Sequence, residues 1–147
     1  MARRLIEITI EDRGNQLHFV IEEMPATKLE SWVIRALLLV AGAGMDVPDG
    51  ADLKKAGAFL ADKGISALGT IDYEKARPLL DEMLGCCYRK IEKVKERCTP
   101  DTVDGYIEDV QTLFKLRMEA VKLNLGFLKA EVENQSGSRE KLSTETQ

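Results

Sequence analysis

The chain has 147 residues, 44% of them apolar and 31% charged, with a formal net charge of −4. That length and balance suit one soluble globular domain with its own hydrophobic core. The acidic total argues against a dedicated nucleic-acid binder, which carries a basic excess, and gives no reason to expect an anionic membrane surface as partner.

The cysteines are Cys86, Cys87 and Cys98. An odd count with two adjacent residues is a poor disulfide framework, which points to a reducing cytosol. The opening "MARRLIEITIED" has two arginines, but Glu7, Glu11 and Asp12 interrupt it before an apolar signal core can form. A cytosolic, unprocessed chain is expected.

Residues 5–11, "LIEITIE", alternate Ile6, Ile8 and Ile10 with Glu7, Thr9 and Glu11. Residues 17–23, "LHFVIEE", place Leu17, Phe19 and Ile21 on one face. Period two on both sides of "DRGNQ", with Gly14 and Asn15 able to take positive φ, predicts an antiparallel hairpin over 5–23.

The period then changes. Thr27 followed by Glu30 reads as a capping box opening a helix over about 27–42. Leu29, Trp32, Val33, Ala36, Leu37 and Val40 keep helical spacing, and Gly42 and Gly44 close it. The second half, "ALLLVA", is apolar all round, so Ile34, Leu38 and Ala41 need a second partner besides the core. The run from Trp32 to Met45 is about fourteen residues with Arg35 inside, short of the roughly twenty that a membrane span needs.

"GADLKKAGAFLADKG" reads as a short helix with Leu53, Ala56, Phe59 and Leu60 inward, closed by Gly64, and "ISALGTID" as a connection. The next helix covers roughly 74–86, with Ala76, Leu79, Leu80, Met83 and Leu84 inward and Pro78 in its first turn or at a kink. For 86–98, "CCYRKIEKVKERC", the helical stripe through Cys87, Tyr88, Ile91 and Val94 is the favoured reading. Alternation in "CYRKIEKV" leaves an edge strand with outer lysines open. "TPDTVDG" is a turn. A long helix is expected over about 103–132, with Val103, Ile107, Val110, Phe114, Val121, Leu125 and Leu128 inward and Leu113 and Leu116 beside them. Residues 133–147 have almost no apolar content and are expected to be a disordered tail. The expected fold is α+β and mainly α-helical. An N-terminal antiparallel hairpin precedes about four helices with a long C-terminal one, in a single globular domain over 1–132.

No catalytic constellation appears. His18 is the sole histidine and sits on a strand among glutamates, where solvation is the simpler role. The cysteines lack zinc spacing. "GAGMDV" follows a helix rather than a strand and has Val47 where a third glycine belongs, so it is a helix end and not a dinucleotide loop. "DVPDGAD" fails calcium-loop spacing, with Pro48 at a ligand position. The pairs Glu22/Glu23, Asp81/Glu82 and Glu108/Asp109 have no neighbour that would raise a pKa. Arg89, Lys90, Lys93, Lys95 and Arg97 outnumber Glu92 and Glu96, but one tyrosine is too few aromatics for nucleic acid. No cofactor or metal is expected, and the chain reads as a protein that binds other proteins.

Two segments carry a resemblance. Glu23, Met24, Pro25, Ala26, Glu30 and Trp32 lead into Arg35, Ala36, Leu37 and Leu38. Asp109, Val110, Thr112, Leu113, Leu116, Arg117, Glu119, Ala120, Leu123, Gly126 and Phe127 form the second. Together they resemble the tail assembly chaperones of long-tailed (siphovirus-type) bacteriophages, over about residues 5–128. Asn124 stands where histidine is common in that pattern. The resemblance implies a non-enzymatic cytoplasmic factor of the infected host, absent from the mature virion. It implies that the chain coats and solubilises the apolar tape measure protein, helps recruit major tail tube protein subunits and then leaves. Many such chaperones also exist in a longer frameshifted form. The alternative is a structural head–tail or tail completion protein, or another interaction module. Candidate partner-binding residues are Trp32, Ile34, Leu38, Ala41, Leu113, Leu116 and Phe127, with self-association through the same surface; neither nucleic acid nor membrane is expected as a partner.

Overall fold

Strands β1 (Leu5–Asp12) and β2 (Asn15–Glu22) pair antiparallel over their whole length, from Leu5 opposite Glu22 to Asp12 opposite Asn15. They belong to a computed structural model that describes residues 3–46, 53–68 and 71–126. The two turn residues, Arg13 at φ 47° and Gly14 at φ 91°, are both left-handed. Two-residue hairpins need this to match the twist of their strands. Asn15, a candidate for that conformation, is instead the first residue of β2.

Helix α1 (Ala26–Gly42) buries Leu29, Trp32, Val33, Ala36, Leu37 and Val40, the stripe read from the sequence. Its start differs. Pro25 is the N-cap and no side chain caps the helix. The Pro25 carbonyl accepts from the Lys28 and Leu29 N–H groups. The helix therefore begins before Thr27, and the expected Thr27–Glu30 box does not form. Gly44, at φ 91°, follows the helix end.

Helix α2 (Leu53–Leu68) runs through Gly64 and on to Leu68, so part of the expected connection is helical. Helix α3 (Tyr73–Leu84) opens on Asp72, whose carboxylate accepts from Glu74 N–H, and buries Ala76, Leu79, Met83 and Leu84.

The helix favoured for 86–98 is corrected to a second hairpin. Strands β3 (Cys87–Ile91) and β4 (Val94–Arg97) extend the sheet to the antiparallel order β1-β2-β3-β4. Tertiary pairing decides it: Phe19, Val20 and Ile21 of β2 face Arg89, Tyr88 and Cys87. Glu22 N–H donates to the Cys86 carbonyl at 2.9 Å. On the other side Cys98 N–H donates to the Cys87 carbonyl at 2.9 Å, so backbone partners on both sides hold this segment extended.

The long helix over 103–132 is also corrected. Thr99 and Thr102 form a capping box for α4 (Pro100–Val103), a single turn where only a turn was expected. Residues 104–109 are not helical, and α5 then covers 110–126. The break has specific partners. The Tyr106 ring lies 6.3 Å from that of Phe19, under the Arg89 guanidinium at 4.1 Å, and its hydroxyl is 3.2 Å from Cys98 Sγ. The Asp12 carboxylate accepts from the Glu108 and Asp109 N–H groups, each at 2.9 Å. The expected disordered tail, and the end of the expected helix beyond 126, lie outside the described residues.

One apolar cluster joins the elements. Ile10, Leu17, Phe19 and Ile21 from the sheet meet Trp32, Val33, Ala36, Leu60, Leu79, Met83, Leu116 and Val121 from the helices. The opposite sheet face carries Glu7, Thr9 and His18, all exposed. Among the described residues the chain is α+β, with a four-stranded antiparallel sheet and five helices.

Candidate partner-binding surface

Helix α1 has two apolar faces, and the core uses one. Trp32 is 1% exposed and its indole N–H donates to the Leu79 carbonyl at 3.0 Å. On the other face Ile34 is 45% exposed and Leu38, one turn on, is 66% exposed. Ala41, a further turn along, is exposed too. Beside this patch Arg35 makes a two-pronged pair with Glu82, both bonds at 2.8 Å, and its Nε donates to the Ser31 hydroxyl at 3.1 Å. Hydrogen bonding to Glu82 raises the Arg35 pKa further, against the opposing cost of burial.

Helix α5 is divided the same way, in a phase the sequence did not reveal. Thr112, Leu116, Ala120 and Asn124 are buried at successive turns. Val110, Phe114 and Met118 are 62%, 52% and 37% exposed. Their i, i+4, i+8 spacing stacks them on one face. Val110 and Phe114 were expected inside. The expectation assumed unbroken helix from residue 103, and the non-helical residues 104–109 reset the phase. The available signal was Asp109: its carboxylate accepts from Gln111 N–H at 3.0 Å, the N-cap pattern of a new helix.

Of the seven candidate residues, Ile34, Leu38 and Ala41 thus share one solvent face. Leu113 is half-buried against the core. Trp32 and Leu116 are inside the core and offer a partner nothing directly. Phe127 lies outside the described residues.

Two polar anchors hold α5. The first is the buried Asp12 carboxylate, which also accepts from the Thr112 hydroxyl at 2.7 Å. The second is Asn124, whose carbonyl accepts from Met24 N–H at 2.8 Å and whose amide donates to the Ala120 carbonyl at 2.8 Å and towards Cys86 Sγ at 3.7 Å. The resemblance marked position 124 only as a departure; its structural role comes from the distance it spans.

A cleft of ≈ 720 Å³ lies between the start of α1, the end of α3 and the second hairpin, lined in part by Met24, Arg35, Glu82, Cys86, Tyr88 and Arg97. Burial pushes the Cys86 thiol up to about 11, so it is protonated near neutral pH and a poor nucleophile. His18 is exposed, with Nδ1 3.0 Å from the Thr9 hydroxyl. Among the described residues no three His, Cys, Asp or Glu side chains are grouped to hold a metal ion, and no helix is long and apolar enough to cross a membrane. No protein-family model, curated protein or solved structure matches the chain.

Proposed function

We propose that the chain is a non-enzymatic tail assembly chaperone of a long-tailed bacteriophage, which holds the tape measure protein soluble in the host cytoplasm until tube subunits enclose it. The observation carrying this reading is the pair of apolar helix faces, Ile34–Leu38–Ala41 on α1 and Val110–Phe114–Met118 on α5, left exposed on a body that is 31% charged. Apolar side chains stacked at helical spacing suit an amphipathic helical partner, which supplies its own apolar stripe to cover them. The charged remainder keeps such a complex dispersed.

Recruitment of major tail tube protein and release before completion belong to the same proposal. Co-expression with the tape measure protein of the same phage tests it. The expected result is a soluble, co-purifying complex, with the chain absent from purified particles by mass spectrometry. A tape measure protein that stays insoluble and does not co-purify sinks the chaperone reading. Stoichiometric recovery from particles favours a structural tail protein instead.

A further inference from the structure

The two edges of the sheet are built differently. β4 has four residues, all exposed, and carries Lys95, Glu96 and Arg97. Short, charged edges resist further pairing. β1 has eight residues, all paired to β2 on one side. It contains no proline, no lysine and no left-handed residue to deter a neighbour.

The direction of its free backbone groups is fixed by two bonds at the end of β2. Glu22 N–H donates to Cys86 O and Glu23 N–H donates to Arg4 O. Even residues of β2 therefore bond towards β3 and odd ones towards β1. By the register, the even residues of β1 bond inward to β2. Leu5, Glu7, Thr9 and Glu11 aim their N–H and C=O groups outward, where no backbone partner meets them among the described residues.

We infer that this edge is the interface of a two-fold homodimer, in which β1 pairs antiparallel with β1 of a second copy and joins two sheets into one. The sequence of β1 is complementary to itself about Ile8. Outward-bonding residues must face outward-bonding residues, so odd numbers pair with odd. Centring the two-fold on Ile8 places Ile8 against Ile8, Ile6 against Ile10, Glu7 against Thr9 and Leu5 against Glu11 of the partner copy. The isoleucines fall at the non-hydrogen-bonded positions, where side chains approach most closely. Ile6 and Ile8, half-buried in one copy, gain cover. Centring on Glu7 opposes glutamate to glutamate. Centring on Thr9 opposes Glu7 to Glu11 and Ile6 to Asp12. The charge already present on Glu7 is met by Lys90 Nζ at 2.9 Å within its own subunit. This interface is independent of the apolar helix faces and of the tail-assembly reading.

Sedimentation equilibrium of the full chain over a range of concentrations tests it. The expected result is a reversible monomer–dimer system. Thr9→Pro removes one outward N–H and costs no backbone bond to β2, losing there only the exposed Thr9 hydroxyl contact with His18 Nδ1, so its mass should fall to that of the monomer with an unchanged far-ultraviolet circular dichroism spectrum. Ile8→Cys supplies a second measurement. Its two copies would sit about 4.5 Å apart at Cα, within the disulfide range of about 4.4–6.8 Å. Mild oxidation should give a cross-linked dimer, whereas the native chain, whose thiols are buried, and Thr9→Cys should not. A native chain monomeric at every concentration overturns the inference. So does a folded Thr9→Pro variant that stays dimeric, a polymer that lengthens with concentration as β1-to-β4 stacking would, or cross-linking through Thr9→Cys alone.

Discussion

The Thr112 hydroxyl donates to the carboxylate of Asp12 at 2.7 Å, joining positions 100 apart in sequence. Asp12 ends β1 and Thr112 lies in the first turn of α5, so this contact fixes where the last helix starts under the sheet. Burial alone would raise the Asp12 pKa. Hydrogen bonds from Glu108 N–H, the Thr112 hydroxyl and Asp109 N–H, with the Arg13 charge, hold it below the ordinary carboxylate value. A depressed native value gives stability that is complete above the unfolded-state value and lost as pH falls through the native one. Denaturant melts should therefore weaken below about pH 4. Asp12→Ala should lose about 2–3 kcal/mol near neutral pH, because three donors lose a charged acceptor. It should also flatten the acid limb; an unchanged limb would mean another carboxylate controls it.

How much of this was readable depends on whether a segment's own period decided its structure. Trp32, Val33, Ala36, Leu37 and Val40 keep helical spacing over more than two turns, so one face of α1 was legible, and so were Ile34 and Leu38 as a surplus. The β3–β4 hairpin was not. Its turn uses Glu92 at φ 54°, where Gly, Asn or Asp would have marked it. β4 is exposed throughout and so shows no period. The α5 face was missed for a different reason: Tyr106 and Asp12 hold partners that only the folded chain brings near, and the break they fix turns Phe114 outward.

Asn124 does for the last described turns of α5 what Asp12 does for its start. It is wholly buried, and its carbonyl is the acceptor for Met24 N–H, at the entry to α1. Asn124→Ala should lower unfolding free energy by about 1–3 kcal/mol, since it leaves a buried backbone donor unmet. The denaturant dependence should keep its slope, because the surface exposed on unfolding is nearly the same. Loss below about 0.5 kcal/mol would show that the site relaxes to admit water or another acceptor.

The Arg35–Glu82 pair has ideal two-pronged geometry but is partly exposed on both sides. Solvent screening limits such pairs to about 1 kcal/mol or less. Arg35→Ala should shift stability by no more than that, and the difference from the native chain should shrink in high salt. A larger, salt-insensitive loss would mean that the Arg35 stem is packed over α3 rather than held by charge.

The thiols should be silent in the native state. Cys86, Cys87 and Cys98 are all buried and free. Burial raises each of them, and the Cys87 thiol also contacts the Met83 and Leu116 carbonyls. A water-soluble thiol reagent at neutral pH should react at the rate of unfolding and then titrate all three in denaturant. Fast labelling of one thiol in folded protein would identify an opening local to the second hairpin, where Cys86 and Cys98 flank the strands.

Leu38 and Trp32 occupy adjoining turns of one helix and should separate binding from folding. Leu38 points into solvent, so Leu38→Glu should change stability by about 0.5 kcal/mol or less. Trp32→Ala opens the core and breaks the bond to Leu79, and should cost about 3–5 kcal/mol. Co-purification with the tape measure protein should then fall for Leu38→Glu while its melting temperature stays close to native. Phe114→Glu makes the same comparison on α5. Loss with one variant and not the other assigns the docking face to a single helix. Unimpaired capture by both folded variants removes these faces from the binding surface and with them the observation on which the chaperone reading stands.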